Sequence, residues 1–149
     1  MELALDAQWK DLSKNVVHQV QTKAAEEGLE FNPTRMVPLS DVSSSIQGTP
    51  MDVSIALGIG IPEITHEVFR NRVTTFSEDP GWYMLNPSDT IVQKVLQLER
   101  APWGGSTDFF KAYNLLLQIC LDHKLPREGT PALVVFSDMQ FDEAHLCVC

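Results

Sequence analysis

Apolar residues recur near the start of this chain at steps of three and four. Leu5, Trp9, Leu12, Val16 and Val20 form one stripe of an amphipathic helix, and Gly28 is placed to end it. The simplest use of the stripe is to dock against the body of the domain; a partner helix is the alternative. From Arg35 the period changes. Met36-Val37-Pro38-Leu39 is a short apolar run that stops at Ser40-Asp41 and reads as a buried strand, although proline cannot donate to a central ladder. Gly48-Thr49-Pro50 then opens a helix carrying Met51, Val53, Ile55, Leu57, Ile59 and Ile61, which Pro62 is expected to kink or shorten.

Arg72-Val73-Thr74-Thr75-Phe76 and Trp82-Tyr83-Met84-Leu85 read as two strands. Only Ser77 to Gly81 separate them, too short for a helical crossover, so an antiparallel hairpin is predicted. Ser88 or Asp89 is expected to cap a helix with Ile91, Val92, Val95, Leu96 and Leu98. A loop, Pro102-Trp103-Gly104-Gly105-Ser106-Thr107, leads into a helix bearing Phe109, Phe110, Tyr113, Leu116, Leu117, Cys120 and Leu121. Pro131-Ala132-Leu133-Val134-Val135-Phe136 is a continuous apolar strand that ends at Ser137-Asp138. Helices alternating with strands apolar on both faces predict an α/β fold: an open, Rossmann-like, mostly parallel sheet covered by helices on both sides. Such sheets bind ligands beyond the carboxyl ends of their strands, where the strand order reverses.

The length, 149 residues, suits one domain. Residues 1–34 read as the N-terminal helix and its connector, and 35–149 as the α/β domain. Twenty acidic against eleven basic residues give a net charge of −9, and this repels phosphate backbones and anionic lipid. Direct nucleic-acid binding is therefore not expected. No apolar run is long enough to span a membrane. The opening residues lack the basic start and apolar core of a signal peptide, and Cys120, Cys147 and Cys149 are too few for a disulfide framework. An intracellular, cytoplasmic location in a reducing compartment is expected.

Two strands end alike, in an apolar run followed by Ser and Asp: Leu39-Ser40-Asp41-Val42-Ser43-Ser44-Ser45 and Phe136-Ser137-Asp138. With the Gly104-Gly105-Ser106-Thr107 loop between them, one sheet edge would gather Asp41, Ser43, Ser45, Thr107 and Asp138. This is an all-oxygen donor set without His or Cys, and it suits Mg²⁺, with Mn²⁺ or Ca²⁺ as substitutes. Neutral hydroxyls leave a dication short of negative charge, so it retains an appetite for one more anionic oxygen. His18, His66, His123 and His145 stand singly and suit surface or capping roles. Glu63, Glu67, Glu78 and Asp79 read as solvated charges, Gly58 and Gly60 as a packing notch, and Trp103 as a contact residue beside the loop.

The order and spacing of Asp41-x-Ser43-x-Ser45, Thr107 and Asp138 resemble the metal-ion-dependent adhesion site of von Willebrand factor type A domains, over roughly residues 35 to 142. Gly48-Thr49-Pro50-Met51-Asp52-Val53, Arg70-Asn71-Arg72-Val73, Thr75-Phe76-Ser77-Glu78 and Val135 through Asp142 look closer to an intracellular branch of plant, protist and giant-virus proteins. That branch is related to the type A domain of the Ro autoantigen. The resemblance implies that Ser43, Ser45 and Thr107 touch the metal while Asp41 and Asp138 act on it mostly through bridging water. It implies a Mg²⁺-dependent protein-interaction module that receives an Asp or Glu carboxylate from a partner. Two features depart from the pattern. Ser44 stands where Gly is frequent, and eleven residues follow Asp138 where type A domains run on through further strands and helices. A sheet of order 3-2-1-4 with an open last edge is therefore expected, with a tendency to self-associate there.

The competing reading is an aspartyl-nucleophile phosphatase of the haloacid dehalogenase class. There Asp41 would attack phosphorus, Asp138 and Asp142 would hold Mg²⁺, Thr107 would grip the phosphate and Lys124 would serve as the lysine. Ser43 occupies the place where that chemistry wants an acid.

Overall fold

The run after Arg35 forms the central strand of the molecule despite its proline. In the computed structural model, which describes residues 1–40, 48–75, 77–102 and 108–136, the strands are β1 (Met36–Ser40), β2 (Arg72–Thr75), β3 (Trp82–Met84) and β4 (Ala132–Phe136). They form one sheet in the order β3-β2-β1-β4. β1 runs parallel to both β2 and β4, and β2 and β3 form the predicted antiparallel hairpin. The helices are α1 (Glu2–Glu26), α2 (Thr49–Ile64), α3 (Ile91–Glu99) and α4 (Phe109–Asp122). The fold is thus mixed α/β, with an open and mostly parallel sheet.

The register explains how β1 tolerates Pro38. β1 pairs with β4 from Met36 to Ser40 but with β2 only at Leu39 and Ser40. Pro38 therefore precedes the part of the strand that is paired on both sides, and its missing N–H costs little. Strand alternation then divides the core. On one face Val37 packs with Phe69, Leu116, Ile119 and Cys120, beneath α4. On the other, Val73 packs with Ile55, Ile59, Leu85 and Leu98, beneath α2 and α3. Each such fully buried aliphatic contributes about 1.5–3 kcal/mol. Burial also pushes the Cys120 thiol above its ordinary pKa.

Gly48, at φ 75°, is the N-cap of α2, and the helix ends at Ile64, two residues past Pro62. The buried carbonyl of Pro62 accepts from the Asn71 amide at 3.0 Å. At α3 the cap is neither Ser88 nor Asp89. Thr90 and Gln93 exchange side-chain and backbone bonds as a capping box. The Asp89 carboxylate instead accepts from the Asn86 and Gln97 amides.

α1 docks by its first half. The Trp9 indole donates to Glu63 at 2.9 Å, and Glu63 also accepts from the buried Lys94 ammonium at 2.6 Å. Glu63 is therefore a half-buried junction between three helices, not the solvated charge its sequence context implied. Asp6 accepts from the Ile91 amide at the start of α3 (3.2 Å) and pairs with Lys10 at 2.8 Å. The Lys10 ammonium holds the Asp6 carboxyl below its ordinary pKa, and Asp6 raises Lys10 in return. Of the predicted apolar stripe only Trp9 is seated on the core; Leu5, Leu12, Val16 and Val20 remain 41–56% exposed. Between α1, α2 and β4 an apolar groove of about 330 Å³ stays open. α1 thus leaves the edge of β4 uncovered among the described residues. No helix among the described residues is long and apolar enough to cross a membrane.

Candidate functional site

The carboxyl ends of the three parallel strands lie in one rank. Ser40 pairs with Thr75 on one side and with Phe136 on the other. The chain passes from β1 through α2 to β2 on one side of β1 and returns through α4 to β4 on the other. The strand order therefore reverses between β1 and β4, and a crevice for a ligand belongs beyond these two carboxyl ends.

The described residues on the rim of that crevice are tightly held. Ser40 is fully buried, and its hydroxyl donates to the Ser54 carbonyl of α2 at 3.4 Å. A Cβ on Gly58 would come within 2.7 Å of the Ser40 Oγ and 3.2 Å of Leu98 Cδ2. The helix approaches β1 this closely only because residue 58 has no side chain, which is the packing notch expected from the sequence. At Gly60 an added Cβ would make only ordinary contact with the Trp9 ring, at 3.5 Å, so the notch belongs to Gly58 and not to Gly60.

α4 begins at the same edge. Asp108 caps it by accepting from the Lys111 amide at 3.1 Å, and the Asp108 amide donates to the Ser77 carbonyl just beyond β2. The Lys111 ammonium reaches across the same turn to the Glu78 carbonyl (3.1 Å) and the Asp79 carboxylate (3.3 Å). Asp108 and Lys111 carried no weight in the sequence reading. An Asp just before an apolar helix was a legible cap signal, whereas the reach of Lys111 depends on the fold.

All five predicted metal-site residues, Asp41, Ser43, Ser45, Thr107 and Asp138, lie outside the described residues, as do Trp103, Asp142 and His145. Of their described neighbours in sequence, Ser40 and Phe136 pair where the strand order reverses, and Asp108 stands at the β2 end of the same carboxyl edge, donating to the Ser77 carbonyl. Among the described residues no cluster of three or more His, Cys, Asp or Glu is placed to hold a metal. Two of the histidines take capping positions, as expected: His66 caps a short 3-10 turn by accepting from the Val68 amide, and His123 ends α4. Lys124 follows α4 at φ 51°, at the helix's far end and about 20 Å along its axis from the carboxyl edge. It is not placed to serve as the lysine of a phosphatase site at that edge.

The architecture defines the chain as an α/β domain with its candidate site at the carboxyl edge of an open, mostly parallel sheet. By sequence it belongs to a family described as a domain of unknown function (DUF7788), whose profile matches residues 35–147. It is 38% identical over 146 residues to Uncharacterized protein L728 of Acanthamoeba polyphaga mimivirus, covering 97% of this chain and 23% of that protein. The chain thus spans about a quarter of the length of that curated relative. No solved structure matches it.

Proposed function

We propose that this domain is a divalent-metal-dependent protein-interaction module of the von Willebrand factor A type. A Mg²⁺ ion held by Ser43, Ser45 and Thr107, with Asp41 and Asp138 behind them, receives an Asp or Glu carboxylate from an intracellular partner. The observation that supports this reading is the pairing of Ser40 with Phe136 at the reversal of strand order. Ser40 and Phe136, which precede Asp41-x-Ser43-x-Ser45 and Ser137-Asp138 in sequence, are adjacent strand ends there, and Asp108, which follows Thr107 in sequence, caps α4 and donates to the Ser77 carbonyl beyond β2.

The donor chemistry fits a hard cation. Two carboxylates and three hydroxyls offer only oxygen, and a dication bound chiefly through neutral hydroxyls keeps affinity for an added anionic ligand. The bound metal supplies that Lewis-acid contact; the chain's residues hold and orient it. Mn²⁺ and Ca²⁺ satisfy the same donors less selectively.

The test is a thermal melt in EDTA and in Mg²⁺, Mn²⁺ or Ca²⁺, each with and without an acidic peptide, on wild type and Asp41→Ala. The melting temperature of the wild type is expected to rise with Mg²⁺ or Mn²⁺, and further with the peptide, while the mutant stays flat with its EDTA value nearly unchanged. A wild-type melt indifferent to every cation, with and without peptide, overturns the reading.

A further inference from the structure

Ser77, Glu78 and Asp79 follow β2, and Asp108 to Lys111 open α4. The two segments are far apart in sequence, yet both stand at the carboxyl edge of the sheet and are bonded to each other there. The Asp108 amide donates to the Ser77 carbonyl at 3.4 Å, a long bond that would hold poorly by itself. The Lys111 ammonium reinforces the crossing, donating to the Glu78 carbonyl at 3.1 Å and to the Asp79 carboxylate at 3.3 Å. The Lys111 backbone amide meanwhile donates to the Asp108 carboxylate at 3.1 Å, the bond that caps the helix. One residue thus holds both the cap of α4 and the turn that faces it.

We propose that Lys111 is a positioning residue for the metal site: it ties the first turn of α4 to the turn after β2, and so holds Thr107 ready for the ion. The inference rests on the metal-dependent reading given above and adds to it a residue outside the donor set. Asp108 shares a peptide group with Thr107, and a peptide group is planar. An anchored Asp108 amide therefore restricts where the Thr107 side chain can begin.

The tie contributes little to the fold as a whole. The Lys111 and Asp79 side chains are 51% and 93% exposed, and water screens so open an ion pair. Its effect is local, because helix ends open far more readily than the core. A loosened first turn leaves the core intact, but the metal must then order its Thr107 donor as it binds, and affinity falls. The sign of the change separates positioning from charge. Lys111→Met takes a positive charge from the rim, and Coulomb's law alone would make the site more attractive to a dication. Loss of positioning acts in the opposite direction.

The test compares the full chain as wild type, Lys111→Met and Lys111→Arg. Titration calorimetry gives the Mg²⁺ affinity. Hydrogen exchange is followed in EDTA at the Asp108 and Ala112 amides, which donate to the Ser77 and Asp108 carbonyls. Lys111→Met is expected to keep its EDTA melting temperature, to exchange faster at both amides, and to bind Mg²⁺ roughly tenfold more weakly, as when a group that orients a metal ligand is lost. Lys111→Arg keeps donors for both acceptors and is expected to match the wild type in exchange and affinity. Unchanged exchange in Lys111→Met overturns the proposal, and so does a Mg²⁺ affinity equal to or tighter than that of the wild type. A wild type that binds no cation overturns the metal reading and this role with it. That failure is distinct from failure of the tie, since the exchange is measured without metal.

Discussion

A single hydrogen atom decides how closely α2 approaches β1. Because Gly58 has no Cβ, the buried Ser40 hydroxyl keeps its bond to the Ser54 carbonyl at the rim of the candidate site. In Gly58→Ala the new methyl meets Ser40 Oγ and Leu98. Overpacking costs about 1–3 kcal/mol, and alanine's better helix propensity offsets about 1 kcal/mol of it. The expected net loss is on the order of 1 kcal/mol by urea unfolding. Removing the obstructing oxygen should recover part of it, so Gly58→Ala/Ser40→Ala is expected to be more stable than the sum of the single changes. Strict additivity would show that the close approach has no energetic consequence. The sequence marked Gly58 as a notch but could not name Ser40 as its counterpart, eighteen positions away, because the pairing exists only once strand and helix are packed.

At the scale of elements, the periodic segments were legible and their attachments less so. The hairpin of β2 and β3 followed from a linker too short for a crossover. The helix at Ile91 was legible, but its cap moved from Ser88 or Asp89 to Thr90, since only Thr90 has Gln93 in position to complete the capping box. The stripe on α1 predicted a docked helix, yet docking rests chiefly on Trp9 and on polar groups: Asp6 at the start of α3, and Glu63 shared with Lys94. The Asp6 contact titrates. Its folded pKa lies below its ordinary value of 3.8 because of the Lys10 ammonium. The stabilisation is therefore fully present above the ordinary value and is lost as pH falls through the depressed folded one. Asp6→Asn is expected to lower the melting temperature at neutral pH and to flatten its decline between about pH 5 and 3 relative to wild type. Parallel declines in the two proteins would show that neither the Lys10 pair nor the bond from the Ile91 amide to Asp6 contributes to stability.

Over the whole molecule, the family profile begins at residue 35, whereas the similarity to the mimivirus protein covers 97% of the chain. The structure supplies a reason for α1 to travel with the rest. Trp9 packs on the core cluster of α2, α3 and β2, and Glu63 draws the Trp9 indole and Lys94 together. Removing residues 1–34 strips that ring from the core and is expected to cost about 3 kcal/mol, read as a lower denaturation midpoint than that of the full chain. An unchanged midpoint would make α1 an appendage.

The sequence by itself determined the element types, the hairpin and the mixed α/β class. Local periodicity, turn length and proline or glycine placement dictate these without reference to distant residues. It also carried the oxygen-only donor pattern of Asp41, Ser43, Ser45, Thr107 and Asp138. Tertiary structure alone decided that β1 lies between β2 and β4 in a register that accommodates Pro38, that Glu63 is a half-buried junction, and that Lys124 is carried to the end of α4 away from the candidate site. It also decided which face of α4 is left outward. Each of these depends on which of several apolar surfaces pair with one another. That choice is made by the shape and burial of the assembled core, which no local pattern encodes.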